Sequence, residues 1–295
     1  MLAPPLWSTI STVMGIGFTA RQAIPICFFG FLICGGVIGL TSRIGAMYHV
    51  PFPVIARVSF GMWGCIPAIL VRTFVALMWT AITTVQGGGY LQNMVTAIWP
   101  SYNNFPNALP ESANITSGAL LMVFLYWFIQ TGVSLLPMWR LRWFFAFKAI
   151  VVPPAFLALF IWGAAVTGGG GPLVTGPVIL TTGLNTGWSA MSALNDIIGL
   201  FSSLAVNMPD FGRFSKYENA GYSQFIFLPL LGTLGALAPI FVTSAAEYLW
   251  GEYIWFMPAV IAKFDSRAAM VPLSSQAKTN LQVFHWFRFH DCYYG

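Results

Sequence analysis

The sequence predicts an all-α protein: a polytopic bundle of helices that crosses a lipid bilayer several times. Three observations carry this. Of 295 residues, 57% are hydrophobic and only 7% are charged, against about 25% charged in a soluble globular protein. The sparse charges leave uncharged stretches long enough to span a bilayer, which takes about 20 mainly apolar residues. Between those stretches, basic residues gather in every second loop. So few charges cannot clothe a water-facing surface, which excludes a cytosolic enzyme and a disordered chain. The net charge of +5 does not point to nucleic acid, because the basic residues are dispersed rather than clustered. The 12 Trp and 29 Gly suit membrane interfaces and close helix packing in lipid.

The elements follow from the gaps between charges. The first 18 residues are apolar but short, with Pro4 and Pro5 at the start. They read as half a helix, or as the end of one whose beginning is missing. A secretory signal peptide would need a positive n-region, and the first charge, Arg21, follows the apolar run. Ala23–Leu40, between Arg21 and Arg43, is the first whole span. Arg72 to Glu111 is charge-free; with turns at Gly61–Pro67 and Gly87–Gly89, a helix over 66–86 fits. Leu120–Leu136 is the next. The uncharged run from Lys148 to Asp196 is divided by Gly168–Gly171 and Pro172 into spans over 144–166 and 188–208. The last, over 223–246, lies between Glu218 and Glu247.

The positive-inside rule orients these six spans. Arg43 and Arg57, then Arg140, Arg142 and Lys148, then Arg213 and Lys216 are separated by two spans each, so they share the cytoplasmic side. Glu111, Glu247 and Glu252 fall opposite, as does the glycosylation sequon Asn114-Ile115-Thr116.

Pro153-Pro154 within one span, and Gly61, Gly64 and Pro67 at the start of another, mark candidate breaks. In lipid, broken helices are tolerated where they are buried in protein or line a cavity, and transporters use them to aim backbone groups at a substrate. Trp79 lies in the middle of the 66–86 span, away from the interfaces where Trp is enriched. Its indole can stack on a flat ring, and Thr83, one turn on, shares its face. Asp196 is an acid near the start of a span, and intramembrane acids are functional candidates. Asp210 and Arg213, three apart, read as a local ion pair. Cys27 and Cys34, a heptad apart, read as small buried apolar side chains. Neither a Cys/His cluster nor a nucleophile–base pair is visible, so a metal site, a cofactor and an enzyme are not expected.

Several strings resemble a known family. These are Gly45-Ala46-Met47-Tyr48-His49-Val50-Pro51-Phe52-Pro53-Val54-Ile55-Ala56-Arg57; Trp79 followed by Gln86-Gly87-Gly88 and Ile98-Trp99-Pro100-Ser101; and Asn207-Met208-Pro209-Asp210-Phe211-Gly212-Arg213-Phe214. They are similar to motifs of the nucleobase-cation-symport-1 family, in its fungal uracil, allantoin and uridine permease branch. They recur in family order over about residues 6–269. The resemblance implies a LeuT-like fold of inverted five-helix repeats, incomplete here, with helices one and six broken. It implies a flat substrate held between aromatics of helices three and six. Trp79 matches the tryptophan that stacks on the substrate. Thr83 stands where the family usually has a Gln that hydrogen-bonds the ring. Phe201 takes the place of the helix-six aromatic, and Leu200 that of the residue whose backbone contacts the ligand. The implied function is symport of a nucleobase, nucleoside, allantoin or related heterocycle with a cation, H+ or Na+, by alternating access in the plasma membrane. A permease of the same fold for a thiamine-like vitamin or an amino acid is the alternative.

The chain departs from the resemblance at both ends. Residues 1–269 read as a partial transporter domain, from the end of helix one to the loop after helix seven. Residues 270–295, with His285 and His290, read as an atypical tail, out of frame or mis-spliced. From another class, the expectation is a non-transporting fragment or gene-model artefact. These 295 residues alone are expected not to transport, because alternating access needs both repeats.

Overall fold

The computed structural model describes residues 4–110, 112, 115–135, 138–168, 174 and 185–263, and of 138–145 the backbone alone. The tail at 270–295 and the sequon residue Asn114 lie outside the described residues. The helices are α1 (Pro4–Gly15), α2 (Ala20–Tyr48), α3 (Phe52–Ile98), α4 (Ser117–Ser134), α5 (Met138–Val166), α6 (Thr186–Gly212), α7 (Ser223–Trp250) and the short α8 (Met257–Ala262). Among the described residues, six helices are long and apolar enough to cross a membrane. Each contains most of one expected span.

The termini follow local chemistry. Pro4 and Pro5 open α1, where a missing backbone N–H does no harm. Gly17, at a φ of 105°, turns the chain between α1 and α2. His49, at a φ of 52°, closes α2 in the left-handed conformation common after helix ends. Thr116 caps α4, its side chain accepting from the Ala119 N–H, as an N-cap Thr should.

Three expectations give way. The Gly87–Gly89 turn is helical, and α3 runs on to Ile98. The reason is packing: Gly87 lies against the Tyr126 ring and Gly88 against Val123 of α4. Small residues serve here to bring two helices together. The break in α3 falls at Gly61 instead, at φ 74° and ψ −178°, within the expected Gly61–Pro67 group. The resemblance implied a broken sixth helix, yet α6 is continuous over Thr186–Gly212. The stretch Gly199-Leu200-Phe201-Ser202 holds no proline, and the Ser202 hydroxyl donates to the Gly199 carbonyl at 2.8 Å. Pro153-Pro154 likewise lie inside the helix α5.

Contacts divide the chain into two compact units. One comprises residues 5–77 and 160–255. Its core joins Leu6, Ile10 and Met14 of α1, Cys27, Phe31 and Ile38 of α2, Ile197 and Phe201 of α6, and Leu228 and Ile240 of α7, all buried. Glycines let these helices approach. Gly30 faces Ile197, Gly45 faces Pro209, and Gly232 faces Phe31. The Ser11 and Thr243 hydroxyls share a hydrogen bond of 3.0 Å between α1 and α7, both fully buried. Tyr253, beyond α7, packs over Gly15 at the end of α1. Burial pushes its hydroxyl well above the usual tyrosine range, against the opposing hydrogen bond with the Gly15 backbone. Among the described residues, the other unit holds residue 4, residues 78–159 and residues 256–263. In it, the Asn93 amide donates to the Pro258 carbonyl of α8 at 2.6 Å.

A stripe on α3 and an ion pair at the end of α6

The candidate site begins on α3. Residues 79, 83, 86 and 90 recur at spacings of four, three and four, so they lie on one stripe of the helix. The stripe sits between two packed faces of α3. Thr84, Gly87 and Gly88 meet α4 on one side, and Gly89 and Asn93 meet Phe256 and Pro258 on the other. Trp79 is half-buried. Above it, Thr83 is fully buried, Gln86 is 6% exposed and Tyr90 is 3% exposed. A flat aromatic is thus followed by three buried polar side chains in the middle of an apolar helix.

Thr83 is not a simple replacement for a Gln. Its hydroxyl lies 3.0 Å from both the Trp79 and the Thr80 carbonyls and donates to them. Its only proton is turned into its own helix, so it has no donor to offer a ligand. The Tyr90 hydroxyl is buried and has no hydrogen-bond partner among the described residues. On the adjoining face, the fully buried Gln130 of α4 donates to the Thr84 hydroxyl at 3.2 Å. That bond ties α3 to α4.

In the other unit, Phe201 and Leu200 occupy α6. Phe201 is 8% exposed, and its ring stands edge-on to Phe31, with centroids 5.5 Å apart and planes at 88°. That geometry is favoured between aromatic rings and holds Phe201 in one orientation. Leu200 is partly buried and packs against the same core. Asp196 is exposed on α6.

The sequence reading paired Asp210 with Arg213; the structure puts it on Arg72. The Arg72 Nη2 donates to Asp210 Oδ2 at 2.9 Å, and the Phe52 backbone N–H donates to Oδ1 at 2.9 Å. The Arg72 guanidinium lies over the Phe52 ring, 4.6 Å from its centroid. This knot fastens the part of α3 on either side of the Gly61 break to the end of α6. An i,i+3 pair is visible in a sequence; a partner 138 residues away is not. Gln86 and Tyr90 were within reach of sequence reasoning, by continuing the helical period from Trp79. Among the described residues, no group of three or more His, Cys, Asp or Glu side chains is placed to hold a metal ion.

Comparison with known proteins bears on all of this. A family profile described as "Permease for cytosine/purines, uracil, thiamine, allantoin" matches residues 2–283. The chain is 32% identical to the allantoin permease of Bacillus subtilis over 269 residues, covering 90% of this chain and 54% of that protein. It is 27% identical to the uracil permease of Saccharomyces cerevisiae, covering 88% of this chain and 41% of that one. The chain thus spans about half the length of the curated relatives it matches. Among solved structures, it resembles Mhp1, a nucleobase-cation-symport-1 family transporter in a closed conformation with bromovinylhydantoin bound. The TM-score is 0.73 at 14% identity, over 97% of this chain and 60% of that one.

Proposed function

Since the chain belongs to the family of permeases for cytosine/purines, uracil, thiamine and allantoin, we infer that the whole protein carries a nucleobase or related heterocycle across a membrane. It is an integral membrane protein. Transport is coupled to a cation, H+ or Na+, and proceeds by alternating access at the plasma membrane.

The observation that carries this reading is Trp79. It lies half-buried in mid-span, with polar side chains following on its own face. Flat heterocycles are recognised in this way, by an aromatic surface for the ring and a few polar groups for its edges. The family resemblance adds Phe201, held edge-on by Phe31, and its neighbour Leu200 as further candidates for contact with the substrate. The backbone breaks at Gly61 and at Gly17 fit a transporter, in which irregular backbone lines a cavity.

The test is uptake of labelled uracil, uridine and allantoin by cells that lack such permeases and express the complete gene. Saturable uptake of at least one, abolished by a proton or sodium ionophore, is expected. Stacking on an aromatic is worth roughly 1–3 kcal/mol per base. Trp79→Ala should therefore weaken apparent affinity by about tenfold to a hundredfold while the protein still reaches the cell surface. Wild-type kinetics in Trp79→Ala would reduce Trp79 to a packing residue, and no uptake of any of the three compounds would overturn the reading.

A further inference from the structure

Arg43 stands near the end of the span α2, and among the described residues no Asp or Glu lies within ion-pair distance of it. Its guanidinium is nevertheless held in place. Nη1 donates to the Tyr222 hydroxyl at 2.7 Å, and the cation lies 5.5 Å from the centre of the same ring. The backbone there is fixed too, because Gly212 and Gly221 both press on the neighbouring Ser42. The same packing brings the linker 213–222 to this end of α2, where the Arg213 carbonyl meets His49 Nδ1 at 2.7 Å. The linker carries Arg213, the exposed Lys216 and a single acid, the exposed Glu218. Among the described residues, Glu218 pairs with neither Arg43 nor Lys216. Beside the charges runs an apolar seam. Gly36, Leu40 and Arg43 follow at spacings of four and three on one stripe of α2. Gly36 faces Phe225 of α7, so Arg43 and Tyr222 sit at the foot of the seam between α2 and α7. Leu40 and Phe225 are exposed. Tyr48 and Tyr217, also exposed at this end, mark the level of the lipid headgroups.

We propose that this corner binds an anionic phospholipid of the cytoplasmic leaflet: Arg43 takes the phosphate, Arg213 and Lys216 attract the negative headgroup, and an acyl chain lies along Leu40 and Phe225. A guanidinium presents paired donors that match phosphate oxygens, and only one of Arg43's five N–H donors is spent on Tyr222. The basic loops put this end of the bundle in the cytoplasm, on the leaflet that carries the anionic lipids. A base that served orientation alone would need no fixed side chain; Arg43 has one. At the end of a span, in the headgroup layer, phosphate comes attached to acyl chains, so a lipid rather than a free anion is the occupant. The inference is independent of which solute the protein carries.

The test uses the product of the complete gene, purified in a neutral detergent. Dioctanoyl phosphatidylserine, dioctanoyl phosphatidylcholine or inorganic phosphate is added, and apparent dissociation constants are read from the rise in melting temperature with concentration. Phosphatidylserine should bind about tenfold more tightly than phosphatidylcholine, and inorganic phosphate should not stabilise the protein. Arg43→Gln and Lys216→Gln should each weaken phosphatidylserine about fivefold and leave phosphatidylcholine unchanged. Glu218→Gln, which removes the acid from the linker, should tighten phosphatidylserine. The control is Arg21→Gln. Arg21 is exposed at the other end of α2, about 33 Å away along the axis, and its loss should change nothing. Equal affinity for the two lipids would overturn the inference, as would inorganic phosphate binding as tightly as phosphatidylserine. An Arg21→Gln loss as large as that of Arg43→Gln would also overturn it, by showing attraction to net charge alone. If Arg43→Gln does not fold, the two exposed linker positions decide: Lys216→Gln and Glu218→Gln must shift phosphatidylserine affinity in opposite directions, and unchanged affinity in both sinks the site.

Discussion

At Gly45 a single methyl group has nowhere to go. An added Cβ would stand 2.5 Å from the Pro209 carbonyl oxygen and 2.6 Å from its Cα. Both are backbone atoms of α6, so relief requires the two helices to part. Overpacking of this kind costs about 1–3 kcal/mol, more than the roughly 1 kcal/mol that Ala gains over Gly in a helix. Gly36 is the control. Its nearest neighbours would be ring carbons of Phe225 at 3.7 and 3.8 Å, an ordinary contact. Gly45→Ala should lower the melting temperature of the detergent-solubilised chain, and Gly36→Ala should hold or raise it. Equal melting temperatures for Gly45→Ala and the parent would contradict the close approach of α2 and α6. The abundance of glycine in the sequence signalled close packing. The partner of each glycine was hidden, because Gly45 and Pro209 are distant in the chain.

At the scale of the helix, the bilayer decides what can be read. Spans were legible as gaps between charges, since a charge in mid-membrane is costly whatever the fold. Interruptions were less legible. Gly61 broke α3 as expected, but Gly87–Gly89 did not, because those glycines meet Tyr126, Val123 and Pro258 and are held in the helix by their neighbours. A glycine's conformational freedom alone cannot tell these outcomes apart. The same limit hid the pair formed by Arg72 and Asp210. Their side chains are 14% and 9% exposed, so each charge depends on the other. Asp210→Ala should leave the guanidinium uncompensated and cost roughly 3–5 kcal/mol. Removing both charges, as in Arg72→Met with Asp210→Leu, should recover much of that loss. Thermal unfolding of the parent, both single variants and the double variant gives the coupling. Additive losses would show that the two groups do not depend on one another.

At the scale of the whole molecule, the unit of residues 5–77 and 160–255 has a basic end and an acidic end. Arg43 Nη1 donates to the Tyr222 hydroxyl at 2.7 Å, and its guanidinium lies 5.5 Å from that ring's centroid. His49 Nδ1 meets the Arg213 carbonyl at 2.7 Å. Arg43, Arg213 and Lys216 are thus gathered around the segment between α6 and α7. Helix α7 then runs 28 residues to Trp250, about 42 Å, which is enough to cross the hydrocarbon core. Beyond it come Glu252 and Tyr253, and Glu247 lies in its last turn. The orientation follows from the basic cluster, because loops rich in Lys and Arg stay on the cytoplasmic side while acidic residues contribute little. Both Lys216 and Glu252 are exposed, so each can be replaced by cysteine once Cys27, Cys34, Cys65 and Cys292 have been removed. On intact cells, a thiol reagent that cannot cross membranes should label Glu252→Cys and spare Lys216→Cys until the membrane is permeabilised. The opposite pattern would invert the orientation. Labelling at both positions would mean that α7 does not cross, leaving its buried glycines and alanines to be explained by packing alone.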